Sequence, residues 1–167
     1  MSRILALAAS TLLLSACASA PQPLQGAHAR LEPEQAVASG STGDSVRWGG
    51  RIIEVRTEKL RSCFEVVGAP LDAAGRPRRV DRSTGRFIAC RSGFYEPQVF
   101  APGRELTIIG RIDGYEQRQV GDYDYRYPRV AADVVYLWPE RRERGFEYRP
   151  YFPGIGPLWY DPWYRRW

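Results

Sequence analysis

An all-β fold, a small five-stranded and partly closed barrel, is what the sequence predicts for residues 46–138 of this chain. Three observations carry that expectation. Apolar and polar residues alternate with a period of two in five separate segments, the pattern of strands with one buried face. Glycine and proline mark the bends within and between them. No long helical period interrupts the series, and five strands in so short a span suit a barrel of the OB type better than a seven-stranded sandwich.

The chain opens on Met1-Ser2-Arg3, an apolar run from Ile4 to Leu14, and then Ser15-Ala16-Cys17. A positive start, a short apolar run and a small-residue exit are the parts of a secretory signal, and the run is too short to span a bilayer as a helix. Leu14-Ser15-Ala16-Cys17 looks like a bacterial lipobox, in which the cysteine is acylated before cleavage on its N-terminal side. Residues 1–16 are therefore expected to be a lipoprotein signal peptide. An ordinary export signal, with Cys17 unmodified, is the alternative. Several acyl chains at ~0.8 kcal/mol per buried CH₂ make anchoring effectively permanent. The sorting rule of Gram-negative lipoproteins retains chains with Asp after the cysteine in the inner membrane. Here that residue is Ala18, which implies the outer membrane and its periplasmic face.

Residues 17–45 carry Pro21, Pro23, Pro33, Gly26, Gly40 and Gly43 without a sustained apolar period, the composition of a lipid-anchored tether. Two helical turns over 31–38 are predicted, starting near Pro33, with about ten residues of the segment on the core and the rest mobile.

The first strand is long and bent. Val46, Trp48 and Ile52 share one face, and Ile53 and Val55 take the other after a kink or bulge at Gly49-Gly50. Residues 62–67 form the second strand, with Phe64 and Val66 on one face, and residues 85–91 the third, with Phe87 and Ala89. A polar hairpin loop, 71–84, joins them. Residues 104–112 alternate most clearly, Leu106, Ile108, Gly110 and Ile112 against Thr107, Ile109 and Arg111. A wide loop is expected over 113–128. In the last strand, 130–138, Val130, Ala132, Val134, Tyr136 and Trp138 alternate with Ala131, Asp133, Val135 and Leu137.

A domain of this size has a modest core, and a covalent staple helps it. A hairpin centred between residues 76 and 77 places Cys63 directly opposite Cys90. A disulfide there, in an oxidising compartment, is worth ~3–4 kcal/mol on the chain-entropy model. Two buried free thiols are the alternative. A one-residue slip would send the side chains to opposite faces.

The chain holds 23 arginines and a single lysine, Lys59, for a net charge of +5. Nucleic acid is disfavoured as a partner, because Glu54, Glu58, Glu65, Asp72 and Asp81 are interspersed among the arginines and the compartment is wrong. One histidine, His28, and three cysteines leave little for a metal site, and no cofactor is expected. With no Gly-x-Ser-x-Gly, phosphate loop or CxxC, an enzyme is not expected.

Several segments, taken in order, resemble a known family: Val46-Arg47-Trp48-Gly49-Gly50-Arg51-Ile52, Gly85-Arg86-Phe87 followed by Ser92-Gly93-Phe94-Tyr95-Glu96-Pro97, Leu106-Thr107-Ile108-Ile109-Gly110, and Tyr127-Pro128 leading to Trp138. With the lipobox, they are similar to the Slp family of outer-membrane lipoproteins, named for starvation-inducible lipoprotein. The resemblance covers residues 43–139 and the signal. It implies an outer-membrane location and a link to stationary phase or envelope stress, and it brings no catalytic residue or ligand. The cysteine pair is a departure from the family.

Two aromatic regions are candidate contact surfaces. Residues 139–167 hold nine of the 21 aromatic residues and five of the 13 prolines, a density unlike a globular core. There Trp159, Tyr160, Trp163, Tyr164 and Trp167, with Arg165 and Arg166, suit a membrane interface or the sugar rings of peptidoglycan or lipopolysaccharide. Folding back onto the barrel, or disorder, is the alternative. Tyr123, Tyr125 and Tyr127, among Arg118, Arg126 and Arg129, form either an OB-type ligand platform or one more half-exposed strand. The expected role is non-catalytic, in the envelope, and the alternative is a binding module for a glycan or anionic envelope component. Protein partners are left unspecified.

Overall fold

The computed structural model describes residues 19–141. Residues 1–18, with Cys17 and the expected signal, lie outside the described residues, as do Trp159, Tyr160, Trp163, Tyr164, Arg165, Arg166 and Trp167. Five strands, β1 (Ser45–Thr57), β2 (Arg61–Gly68), β3 (Arg86–Ser92), β4 (Glu105–Val120) and β5 (Tyr123–Leu137), follow one helix, α1 (Pro33–Ser39).

The strands close into a complete ring in the order β1-β2-β3-β5-β4, the partial closure predicted from sequence being exceeded. Closure depends on the length of β1. Residues from Ser45 to Arg51 pair with β4, and residues from Gly50 to Thr57 pair with β2. Gly50 therefore lies where β1 leaves one partner for the other, and a Cβ there would sit 1.9 Å from the Val67 carbonyl oxygen. Gly110 meets the same constraint, 2.2 Å from the Ala131 carbonyl oxygen. A short parallel contact of Ile88–Cys90 with Arg129–Ala131 joins β3 to β5.

The interior is filled by Trp48, Ile52, Phe64, Val66, Phe87, Leu106, Ile108 and Val130, all buried. Tyr95 and Phe100, from the β3–β4 connection, pack on Phe64 with ring centroids 5.3 Å away in each case. Ala36 of α1 also enters this core. Helix α1 begins with Pro33 in its first turn and a reciprocal Glu32–Gln35 cap, and it ends on Gly40 in the left-handed region.

Two strands change phase where the alternation in sequence does not. In β1 the register breaks between Ile52 and Glu54 rather than at Gly49-Gly50, so Val55 returns to the core side. In β5 the register breaks opposite Ile109 and Gly110, with Asp133 as the extra residue. Val130 and Ala132 face inward, and beyond the bulge Val135 and Leu137 do so instead of Val134, Tyr136 and Trp138. A bulge adds one residue to one strand only and so inverts every side chain after it.

The wide loop expected over 113–128 is two strand arms. β4 continues to Val120 and β5 begins at Tyr123, paired across a Gly121-Asp122 turn. Much of the segment expected to be a tether lies against the barrel. Gln22–Leu24 form a 3₁₀ turn, Leu24 is 0% exposed, and Ala29 bridges to Val46. Leu24 covers the outer face of the sheet with Ala20, Ala74, Ile109 and Trp138, the face onto which the phase change in β5 turns Val134, Tyr136 and Trp138. The β2–β3 connection, expected to be a polar hairpin loop, is tied to the same place. The Trp138 indole donates to Thr107 Oγ1 at 2.9 Å, and the Thr107 hydroxyl donates to the Gly75 carbonyl at 2.7 Å.

Candidate functional site

An arginine-lined cleft of about 740 Å3 opens on the outside of the barrel, beside Trp138. Its centre is Glu105, the first residue of β4, whose side chain is only 10% exposed. Arg76 Nε donates to it at 2.7 Å, Arg141 Nε donates to both carboxylate oxygens at 3.1 Å, and Arg79 Nε stands 3.5 Å away. Burial alone raises the Glu105 carboxyl, but hydrogen bonds and charge from Arg76 and Arg141 outweigh it and hold the group below the ordinary glutamate range. The carboxylate stays ionised and fixes the guanidinium groups around it.

Backbone carbonyls complete the frame. Arg76 also donates to Pro139 O at 2.7 Å and Arg141 to Pro77 O at 2.7 Å, while Arg104 donates to Trp138 O at 3.1 Å. The Arg76 guanidinium lies 5.4 Å from the Trp138 ring centroid. Arg51 reaches the rim from β1, opposite Glu105 in register. The described lining holds five arginines against three carboxylates, Asp81, Glu105 and Glu140. A fixed frame of donors with excess positive charge suits an anionic group that takes bidentate hydrogen bonds, a phosphate or a carboxylate.

The tyrosines singled out from sequence do come together on one face of the β4–β5 hairpin, with ring centroids 6.3 Å apart for Tyr123 and Tyr125 and 5.0 Å for Tyr125 and Tyr127. Two of the three are occupied by the fold. Tyr127 is 1% exposed, and its hydroxyl donates to Glu65 at 2.9 Å. Burial first, and then that hydrogen bond, raise its pKa. Tyr125 accepts from the Arg86 backbone N–H at 3.0 Å. Tyr123, 69% exposed, is open to solvent. Tyr125 and Tyr127 cover Cys63, Cys90 and Ile88. Cys63 and Cys90 pair across β2 and β3 and are joined by a disulfide.

His28 sits on the packed segment, lining a second cavity of about 620 Å3 against β1. Its Nδ1 is 3.4 Å from Ser45 Oγ, and its buried Nε2 has no hydrogen-bond partner among the described residues. Burial, and then the charge of Arg47, lower its pKa, so the ring is neutral near pH 7.

Sequence reasoning missed the arginine cleft entirely. Its members come from β1, the β2–β3 connection, the β3–β4 turn, the start of β4 and the exit of β5, so no local motif unites them. The nearest signal was a carboxylate at the mouth of a strand in a chain rich in arginine.

Comparison with known proteins bears directly on identity. The model of the outer membrane lipoprotein Slp family matches residues 14–166. Outer membrane protein Slp of Escherichia coli is 28% identical over 155 residues, covering 90% of this chain and 82% of that one. An uncharacterized lipoprotein of the same organism, YeaY, is 27% identical over 131 residues, 76% of this chain and 67% of its own. A Haemophilus influenzae protein, itself uncharacterized, is 28% identical over 132 residues, with 75% and 70% covered. No solved structure matches. With nearly the whole length matched by the family model, this chain belongs to the Slp family of outer membrane lipoproteins.

Proposed function

We propose that the mature protein is held on the periplasmic face of the outer membrane by acyl chains on Cys17 and has a non-catalytic role in the envelope, linked to stationary phase or stress. The observation that carries this reading is Leu14-Ser15-Ala16-Cys17 at the end of a short apolar run, with Ala18 following, in a chain of an outer membrane lipoprotein family. Labelled palmitate should enter the wild-type chain and not Cys17→Ala. Protease added to intact cells should leave the barrel whole, and should cleave it once the outer membrane is permeabilised. Label on the Cys17→Ala chain, or cleavage in intact cells, overturns the anchor or the facing respectively. Comparing transcript and protein levels in growing and starved cells tests the stress link.

A second reading, a binding module for an anionic envelope component, is favoured by the fixed excess of guanidinium groups around Glu105. Peptidoglycan and lipopolysaccharide are the ligands to test, by co-sedimentation with the mature chain. Saturable binding supports the module. Its absence leaves the anchor as the working contact with the envelope.

A further inference from the structure

From the arrangement of the N-terminal segment and the arginine cleft, we infer that the cleft is a membrane-docking surface whose guanidinium groups take the phosphates of bilayer lipid headgroups. The inference rests on the reading that Cys17 carries the anchor. Its geometry comes from the structure.

The segment between anchor and barrel is very short. Ala20 packs against the buried cluster of Leu24, Ile109 and Trp138, and its carbonyl accepts from the Gln25 side chain at 2.9 Å. Leu24 N–H donates to Pro21 O at 2.8 Å, and Arg47 donates to Leu24 O at 2.9 Å. The chain is thus fixed to the barrel from Ala20 onward. Three peptide steps separate Cys17 from Ala20, and a fully extended chain spans at most about 11 Å in three residues. Wherever the acyl chains enter the bilayer, Ala20 stays within about that distance of the surface.

Ala20 is also beside the cleft. The cluster it packs on includes Trp138, which also lines the cleft. A Cβ on Gly75 would meet the Ala20 Cβ at 4.0 Å, and the next residue is Arg76. The cleft and its five arginines therefore lie beside the point of the barrel that the tether holds close to the headgroups. The adjoining turn has interfacial character as well. Val80, 39% exposed, is an apolar residue in a stretch of the connection that also carries Arg78, Arg79, Asp81 and Arg82. Basic groups this close to an anionic surface each contribute about fivefold to partitioning, equivalent to about 1 kcal/mol.

The test uses the mature chain, residues 17–167, with Cys17→Ser so that partitioning is reversible. Vesicles of phosphatidylcholine alone and of phosphatidylcholine mixed with phosphatidylglycerol are the probes. Arg51→Gln with Arg79→Gln removes two cleft charges and leaves the Arg76–Glu105–Arg141 frame intact. Lys59→Gln with Arg61→Gln removes the same charge from the β1–β2 turn. The expected result is salt-sensitive binding to the anionic vesicles, reduced about thirtyfold by the cleft pair and less than about threefold by the turn pair. Equal losses from both pairs mean net charge alone is sensed, and binding that survives the cleft pair means another surface carries it. Either overturns the inference, as does the absence of vesicle binding. Saturable calorimetric binding of inorganic phosphate that displaces the chain from vesicles reassigns the cleft to a free anion. Palmitate labelling of Cys17 is read separately, so a failed anchor and a failed cleft give different results.

Discussion

Replacing Leu24 with Ala tests whether the N-terminal segment is part of the folded domain. Leu24 is fully buried on the outside of the barrel, where its side chain covers Ile109 and Trp138. Leu-to-Ala changes at buried sites cost about 2–5 kcal/mol, the spread reflecting how far the surroundings collapse. Here Ala20 and Ala74 are small, and their segments are held by hydrogen bonds from Gln25 and, through Gly75, from Thr107. Collapse is limited, and a cost of about 3 kcal/mol follows. For a domain of this size about 4 °C of Tm is lost per kcal/mol, so Leu24→Ala should melt about 12 °C below wild type. Gln22→Ala, at an exposed site two residues away, should melt within about 2 °C of wild type. Thermal unfolding followed by circular dichroism, with urea titration as a second measure, reads both. If Leu24→Ala matched Gln22→Ala, residues 20–24 would be a free tether and the argument for a short anchor would fail with it.

Glu105→Gln should cost about 2 kcal/mol, because the carboxylate accepts from two arginines through two charged oxygens, whereas the amide offers them a single uncharged oxygen. The folded-state pKa of Glu105 lies below its unfolded value, so its contribution is complete above the ordinary glutamate range and is lost as pH falls through that range toward the folded value. Wild type should therefore lose stability more steeply than Glu105→Gln in acid urea titrations. Gly50→Ala puts a Cβ onto the Val67 carbonyl at the crossing of β1, which should cost about 3 kcal/mol or more in chemical denaturation or prevent soluble expression. Cys63→Ala with Cys90→Ala should cost about 3 kcal/mol. In wild type, alkylation after mild reduction should be slow until denaturant is added, because Tyr125 and Tyr127 cover the pair.

All five strands were legible in sequence, and so was the Cys63–Cys90 register, because period-two alternation and hairpin symmetry are local properties. Phase was not. Whether Val55 or Val134 faces inward depends on a bulge whose position is set by the partner strand, which sequence alternation cannot report. The arms at 113–120 and 123–128 read as a loop because Glu116, Arg118, Asp124 and Arg126 make them polar, yet Tyr123, Tyr125 and Tyr127 kept the strand period. In the segment before β1 the helix was legible, but the packing of residues 20–29 was not, for a related reason. Its proline and glycine content marks irregular backbone, and irregular backbone can still be well packed, as Leu24 is. The arginine cleft required tertiary structure, since Arg76 and Arg79 from the β2–β3 connection and Arg141 beyond β5 converge on one glutamate at the start of β4.

The ring of strands also fixes an order of assembly. β1, β2 and β3 are linked by hairpins, as are β4 and β5, and residues 93–104 separate the two groups. The seams that close the barrel, β1 with β4 and β3 with β5, both join the first group to the second. Until residues 105–137 arrive, β1 and β3 are open edges, able to pair with another copy of the same meander. The C-terminal hairpin acts on both edges at once, as an intramolecular competitor whose effective concentration is set by the short 93–104 connection. Lengthening that connection should weaken the competition, so that chains with inserted residues there partition toward swapped dimers while each barrel within them keeps the same strands.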